Sequence, residues 1–297
     1  MSRPSIYRCL MLITALLCCP IGYAVADDLP TLDDVYHAWR RRQAMTETLS
    51  ADTQILTNYA AHSFIVPGKK ERQPIAPRSS RRTATLRLSD AYRWRLDHRG
   101  EQFHRRFGQM LHFDVTRLCD GNQCVLIERP YKEIDDWTPK PRTYSFPRRF
   151  GHEQDWFDIA LAPLLLHYRP YNVLHSPFVD VPYTLDPKWH TVDGQRCLVL
   201  RPGKDAPYSV RTYRYWVAPD KAYSVVRIER HLNDEVEWSF AINYVNRSNA
   251  AEDNLWQPSS YQIRRMWSDQ MIEFSKVTVK KLTVNGAVDD SIFQYQP

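Results

Sequence analysis

Apolar and polar residues alternate along much of the chain, most regularly in the stretch VEWSFAINYV at 236–245. Val236, Trp238, Phe240, Ile242 and Tyr244 fall on one side of this stretch, with polar or small residues between them. A period of two residues is typical of a β-strand with one buried face. The stretch therefore predicts a strand whose apolar row faces either a packed core or a hydrophobic ligand.

The same alternation predicts strands earlier in the chain. TATLRLSDAYRWRLDHRG at 83–100 predicts two strands or one bent strand, because Ser89 and Asp90 interrupt the alternation. VTRLCDGNQCVLIERP at 115–130 predicts a hairpin with its turn at 120–123.

The second half of the chain continues this pattern to its end. HTVDGQRCLVLRP predicts a hairpin that turns at Asp193-Gly194. SVRTYRYWVAPDKAYSVVRIERHL at 209–232 predicts two strands joined at APDKA. Strands in consecutive hairpin order form an antiparallel meander. The fold class predicted from this order is mainly β, with a smaller helical part.

Residues 31–49 predict a helix near the start of the chain. Thr31 is a candidate N-cap, and Asp34 follows three residues later as in a capping box. The arginines at 40–42 form a solvated face, which is favoured over contact with a membrane surface. Apolar residues at helical spacing form the other face: Leu32, Val35, Tyr36 and Trp39.

Residues 155–170, DWFDIALAPLLLHYRP, predict a second helical segment. It is apolar on nearly every side, which is typical of a helix buried against a sheet. Pro163 is expected to kink or split it. Two further stretches, 66–82 and 129–150, are rich in proline or aromatic residues and lack a period, which predicts loop insertions.

The first 26 residues are typical of a secretory signal peptide. Arg3 and Arg8 precede a short apolar run, and a small-x-small pattern ends at Ala26. Cleavage there predicts a mature chain of 27–297 that is periplasmic or secreted. Because Leu17 precedes Cys18, free export is favoured over a lipid anchor.

Charge and composition narrow the class of protein only slightly. Hydrophobic residues make up 43% of the chain, which is enough for a core and excludes global disorder. The net charge is +6, and +4 without the signal peptide. This surplus suits peripheral contact with an anionic membrane surface, although solubility alone explains it as well.

Three cysteines remain after the signal peptide. Cys119 and Cys124 flank DGNQ and lie opposite each other if Gly121-Asn122 forms the turn, which permits a disulfide. A turn at Asp120-Gly121 puts them out of register, and both alternatives stay open. Cys197 is expected to be a buried thiol. The spacing of cysteines and histidines predicts no metal site.

The sequence contains none of the common catalytic motifs. G-x-S-x-G, a P-loop and G-x-G-x-x-G are all absent, and no cofactor is expected. Only the acidic and histidine residues around 97–104 and 152–158, among them Asp97, His98 and Asp155, motivate a hydrolase, which is the least favoured function. Arginines interleaved with aromatic residues could suggest nucleic acid, but export makes this partner improbable.

Several motifs in this order resemble the periplasmic carriers and sorting proteins of outer-membrane lipoproteins, the LolA/LolB-like family with its RseB-type relatives. They are LRLSDAYRWRLD, the hairpin CDGNQCVLIERP, YRYWVAPDKAYSVVRIER, and the ending VNGAVDDSIFQYQP. The resemblance covers most of 27–297. It implies a single domain, an incomplete antiparallel β-barrel whose concave face is covered by the N-terminal helix and the apolar helical segment.

The resemblance also implies a hydrophobic cavity and a binding function without catalysis. The expected ligand is the acyl chain of a lipid or lipoprotein, handled by a carrier or a sensor. Arg93 is the nearest match to the family's lid-contacting arginine. The alternative is an envelope-stress module that binds an envelope or membrane protein through 66–82 and 129–150. Inward residues are either core or ligand contacts: Trp94, Leu96, Tyr213, Tyr215, Trp238, Phe240, Ile242 and Tyr244.

Overall fold

The computed structural model describes residues 29–60, 78–89, 93–104, 109–129, 142–145, 159–171, 182–203, 211–232, 234–247, 256–267 and 269–295. Residues Thr31–Pro297 form one compact unit. The predicted signal peptide lies outside the described residues and stays a prediction. No helix among the described residues is long and apolar enough to cross a membrane.

Fourteen strands form one antiparallel sheet. Along the sheet the order is β6-β5-β4-β3-β2-β1-β14-β13-β12-β11-β10-β9-β7, and β8 also pairs with β9. The strands are β1 Thr48–Tyr59, β2 Arg78–Ser89, β3 Arg93–His104, β4 Gln109–Asp120, β5 Gln123–Arg129, β6 Arg142–Ser145, β7 Tyr183–Leu185, β8 His190–Val192, β9 Gln195–Pro202, β10 Arg211–Ala218, β11 Ser224–Leu232, β12 Glu235–Asn246, β13 Trp256–Trp267 and β14 Gln270–Val284.

The sheet is open, as expected for an incomplete barrel. Within the described part of the chain, β6 and β7 each have a neighbouring strand on one side only. The first strand, β1, pairs with the last, β14, from Leu49 opposite Val284 to Tyr59 opposite Glu273. The predicted mainly β, antiparallel fold is therefore confirmed.

One face of the sheet carries the buried side chains and is called the inner face. In β1 every second residue from Leu49 to Tyr59 is buried, and the residues between them are half-buried or exposed. The register carries this parity to the neighbouring strands, since buried Ile55 lies opposite buried Val277 on β14. The alternation in the sequence thus sets which residues can meet on this face.

Helix α1 spans Leu32–Ala44 and begins at the predicted capping box. The Thr31 amide donates to Asp34 Oδ2 at 2.7 Å, and the Asp34 amide donates to Thr31 Oγ1 at 3.2 Å. The prediction that the helix continues to residue 49 is wrong. Residues from Thr48 onward instead pair with β2 and β14, so ladder bonds compete successfully with another helical turn.

Helix α2 spans Ala162–Tyr168 and follows a 3₁₀ turn at Ile159–Leu161. Pro163 lies in its first turn, where a missing amide hydrogen breaks no helical bond. The helical segment thus changes from a 3₁₀ turn to an α-helix at this proline, which agrees with the predicted split. Residues 155–158 lie outside the described part.

Both predicted loop insertions need correction at their edges. Residues 78–82 belong to β2, where Arg82 is buried on the inner face. Residues 142–145 form β6, which pairs with β5. Prolines at 141 and 147 flank this short strand and made the whole segment resemble a loop.

The predicted turns are confirmed. Asp193 and Gly194 have φ angles of 49° and 77°, as a tight turn between twisted strands requires. Gly121 and Asn122 form the turn between β4 and β5, which places Cys119 opposite Cys124, and a disulfide joins them. Cys197 is a buried free thiol, and burial raises its pKa to about 11.

Candidate ligand-binding site

The eight inward residues expected from the sequence all lie on the inner face. Tyr213 and Tyr244 are half-buried, and the other six are at most 8% exposed. Trp94 and Leu96 are on β3, whereas the other six are on β10 and β12. Five strand spacings separate β3 from β12, roughly 24 Å along the sheet. The structure therefore brings six of the eight into one region.

That region contains a continuous apolar row across four strands. Tyr215, Ile228, Phe240 and Ile263 lie opposite one another from β10 to β13. We call these four residues the inner row. Its ends are roughly 14 Å apart at the usual strand spacing. On the next strands the row continues with Ser275 and Thr57, whose hydroxyls are 2.8 Å apart, so the inner face becomes polar there.

The apolar surface is bounded on one side by a row of arginines around Trp238. Arg230 and Arg265 lie opposite Trp238 on the two neighbouring strands. Their guanidinium carbons are 5.4 and 5.1 Å from the Trp238 ring centroid, which is within the range of cation–π contact. Trp238 therefore has apolar neighbours on its own strand and a positive charge on each side.

Helix α1 docks on the turn between β10 and β11 through two side chains. Trp39 Nε1 donates to the carbonyl oxygen of Tyr223 at 2.7 Å, and Arg42 Nη2 donates to that of Ala222. Ala222 and Tyr223 both have left-handed backbones, with φ angles of 51° and 58°. Such angles are costly for residues with side chains. The left-handed turn thus presents two successive carbonyl groups to one helix.

Helix α2 is attached both to α1 and to the inner face. Arg42 Nη1 donates to Nδ1 and to the carbonyl oxygen of His167, both at 3.3 Å. From the sheet, the Tyr261 hydroxyl donates to the carbonyl oxygen of Ala160, just before α2. The His167 ring lies 5.2 Å from the ring of Tyr244. We use the name docking contacts for the hydrogen bonds of Arg42 to His167 and of Tyr261 to Ala160, together with those of Trp39 and Arg42 to the turn.

Arg42 is a buried cation at the centre of the docking contacts. Its side chain is 7% exposed, and no carboxylate among the described residues forms an ion pair with it. Burial lowers the pKa of Arg42 to about 10, so the guanidinium is charged at neutral pH. Burial lowers the pKa of His167 well below its usual value, and the Arg42 charge lowers it further. The charged guanidinium of Arg42 can therefore lie against the His167 ring because the imidazole is neutral.

Arg93 has a partner other than the two helices. It alternates with buried Trp94, so it lies on the opposite face of β3. Its Nη1 is 2.6 Å from Oδ2 of Asp290, in the 3₁₀ turn Asp290–Phe293 that follows β14. The lid contact expected of Arg93 stays a prediction, while Arg42 provides the observed link between the helices.

Among the described residues that motivated a hydrolase, Asp97 and His98 lie on opposite faces of β3 and do not converge. Asp97 accepts from Arg95 Nε at 2.8 Å and from the Thr116 hydroxyl at 2.7 Å. His98 is buried on the other face of the same strand, against the ring of Phe113. Asp155 lies outside the described residues. Among those that are described, no three potential metal ligands cluster.

An open cleft of about 720 Å³ lies beside the helices, near the end of α1 and the start of β1. Its lining includes Arg40, Gln43, Arg169 and Tyr171, and none of the eight predicted residues. Sequence reasoning missed this cleft because Arg169 and Tyr171 follow a short helix and belong to no periodic pattern.

Comparison with known proteins adds information about the fold. No protein-family model and no curated protein sequence matches the chain. A solved structure of a protein from Nitrosomonas europaea has 11% identity and a TM-score of 0.48, over 90% of this chain and 99% of that one. The chain is similar to LolA superfamily structures.

Two further solved structures are similar to this chain. One is a putative outer membrane lipoprotein-sorting protein domain from Vibrio parahaemolyticus, with 10% identity and a TM-score of 0.48, over 86% of this chain and 94% of that one. The other is a DUF1329 family protein from Desulfovibrio piger, with 11% identity and a TM-score of 0.45, over 90% and 98%. At these values the likeness says nothing about what this chain binds.

Proposed function

We propose that this LolA-like protein binds the acyl chain of a lipid or lipoprotein on the inner face, beneath α1 and α2, as a carrier or sensor. The observation that carries the proposal is the way the two helices are attached. The docking contacts are hydrogen bonds from a few side chains to backbone carbonyls and to His167, placed beside the apolar inner row. The predicted signal peptide supports a site of action in the periplasm or outside the cell.

Such an attachment can be released without disturbing the sheet. A hydrogen bond contributes only about 0.5–1.5 kcal/mol net, because water replaces it when it opens. Arg42 also carries the cost of a buried charge that has no carboxylate partner among the described residues. None of the docking contacts is a bond between strands, so the ladder stays intact when the helices move. Lifting α2 uncovers the inner face around Tyr261, two residues from Ile263 of the inner row.

The exposed surface supplies affinity without directional chemistry. An acyl chain gains about 0.8 kcal/mol for each methylene group that it buries. Ten buried methylenes contribute roughly 8 kcal/mol, which corresponds to a dissociation constant near 1 µM. This energy requires an apolar surface and no acid, base or nucleophile, so binding rather than catalysis is the proposed role.

The test uses a series of straight-chain fatty acids that compete with a fluorescent fatty-acid probe. Affinity is expected to rise about fourfold with each added methylene until the apolar surface is filled. Mass spectrometry of organic extracts from protein purified without detergent is expected to show copurified lipid. If no lipid copurifies and affinity is independent of chain length, the proposal is wrong.

A further inference from the structure

The open cleft beside the helices differs in chemistry from the inner face. Its lining combines apolar surface with two guanidinium groups and brings together side chains from three parts of the chain: Arg40 and Gln43 on α1, Ser89 at the end of β2, and Arg169 and Tyr171 after α2. At about 720 Å³ it lies within the usual size range of small-molecule sites. A polar ligand fits this surface better than an acyl chain does.

Arg40 is held at the cleft by aromatic rings. Its guanidinium carbon is 5.9 Å from the Tyr36 ring centroid and 5.6 Å from that of Tyr171. A guanidinium next to ring faces keeps its N–H donors available at its edges. The Tyr171 amide donates to Gln43 Oε1 at 2.8 Å, which ties the segment after α2 to the same side of α1.

Arg169 supplies a second guanidinium that is almost fully buried. Its side chain is 7% exposed, and Nη2 donates to the carbonyl oxygen of Glu47 at 2.7 Å. This bond fixes the direction of the side chain at the wall of the cleft. A planar guanidinium with several donors is suited to oxygens of phosphate and carboxylate groups.

The negative charge at the cleft is smaller than the positive charge of Arg40 and Arg169. Among the lining residues that the structure describes, Glu47 is the one carboxylate, against two guanidiniums. The carbonyl end of α1 also faces this region, but its groups already have donors. Arg41 O accepts from the Met45 amide, Gln43 O accepts from the Thr46 amide, and Arg42 O accepts from the Thr46 hydroxyl. The positive charge of the cleft therefore prevails.

We propose that this cleft binds an anionic, phosphate-type head group, and that the head group belongs to an amphiphile whose chain occupies the inner face. This inference rests on the proposed function. Gln43 and Arg169 belong to the segments that cover the inner face, so a head group in the cleft lies at the edge of that cover. The volume leaves room for polar groups attached to the phosphate.

The experiment compares dodecyl phosphate, dodecanol and inorganic phosphate by calorimetry at constant ionic strength. The wild type is expected to bind dodecyl phosphate roughly tenfold or more tightly than dodecanol. Arg40→Gln is expected to remove this preference. Arg41→Gln is the matched control, because Arg41 is the exposed neighbour with the same charge outside the cleft lining, and it should keep the preference.

A second variant, Arg169→Lys, keeps a donor for Glu47 and removes the planar fork. It is expected to weaken the preference while the protein stays folded. Equal binding of the two alkyl probes by the wild type overturns the head-group site and leaves the proposed function intact. Binding of neither probe overturns the proposed function. Binding of inorganic phosphate alone, sensitive to Arg40→Gln, supports the anion site and overturns the amphiphile.

Discussion

Nη1 of Arg42 lies 3.3 Å from Nδ1 of His167, and both side chains are buried. A guanidinium can only donate, so Nδ1 must accept through its lone pair. The contact therefore requires a neutral imidazole whose proton is on Nε2. Tyr168 and Tyr244 also face Arg42, and burial raises the pKa of each phenol, so both stay neutral. One of the two hydrogen bonds from Arg42 to His167 therefore depends on the protonation state of this histidine, whereas the bond to its carbonyl oxygen does not.

Acidification is expected to destabilise the fold through His167. Its pKa is lowered in the folded state, so below the unfolded value of about 6.5 the unfolded chain binds more protons. The contribution of this group is complete above that pH and decreases as the pH falls below it. Denaturant unfolding is expected to show a loss of roughly 1–2 kcal/mol between pH 7 and about pH 5.

The control for this pH dependence is His167→Asn, which offers an acceptor near the position of Nδ1 and does not titrate. Its unfolding free energy is expected to fall less steeply between these pH values. An unchanged slope would show that other groups cause the loss of stability.

Loss of the Arg42 side chain is expected to loosen the helices selectively. Arg42→Met keeps an unbranched side chain and removes the bonds to Ala222 and His167. Hydrogen exchange is expected to become about tenfold faster in α1 and α2, while β12–β14 keep their protection. Arg41→Met is the matched control. Loss of protection throughout the sheet would contradict a releasable cover.

A substitution at Trp238 is expected to test ligand binding separately from folding. Trp238→Asp places a carboxylate between Arg230 and Arg265, which pair with Glu237 and Glu273 and can also pair with the new carboxylate, so the protein is expected to remain folded. The apolar surface next to Phe240 is lost, and affinity for the fatty-acid probe should fall by about tenfold or more. Probe titration and circular dichroism check both points.

Trp267→Asp, at a tryptophan that is 45% exposed, is the control. Equal affinity in the two variants would exclude Trp238 from the site.

The disulfide is expected to stabilise the β4–β5 hairpin only modestly. Cys119 and Cys124 are five residues apart, and a loop of this size contributes roughly 2 kcal/mol through the entropy of the unfolded chain. Reduction should therefore lower the melting temperature by a few degrees. The buried thiol Cys197 is the internal control, since Cys197→Ala should leave the response to reductant unchanged. A melting temperature that does not respond would contradict this.

Local patterns were sufficient to predict most strands and turns. Alternation in 236–245 predicted the buried set Trp238, Phe240 and Ile242, because a strand with one buried face permits few other arrangements. The Asp193-Gly194 turn and the Thr31 capping box were predictable for a similar reason. Each depends on bonds between residues that are close in sequence.

The burial of Arg42 was not predicted from the sequence. The sequence placed residues 40–42 on a solvated face because a run of arginines usually faces water. Position 42 nevertheless continues the spacing of Val35 and Trp39, which are the buried residues of the same helix. Helical periodicity could have found it. The acceptors for its donors, Ala222 and His167, are more than 120 residues away, and no local pattern predicts such partners.

The pairing of β1 with β14 has a consequence for the order of folding. The first described strand along the chain, β1, lies between β2 and β14, and β14 is the last described strand. Until the fifteen residues of β14 are available, β1 keeps one bare edge, and the strands on either side of it form two separate groups. Contacts between such distant residues form slowly. Completion of this sheet must therefore wait for β14, however early the first hairpins form.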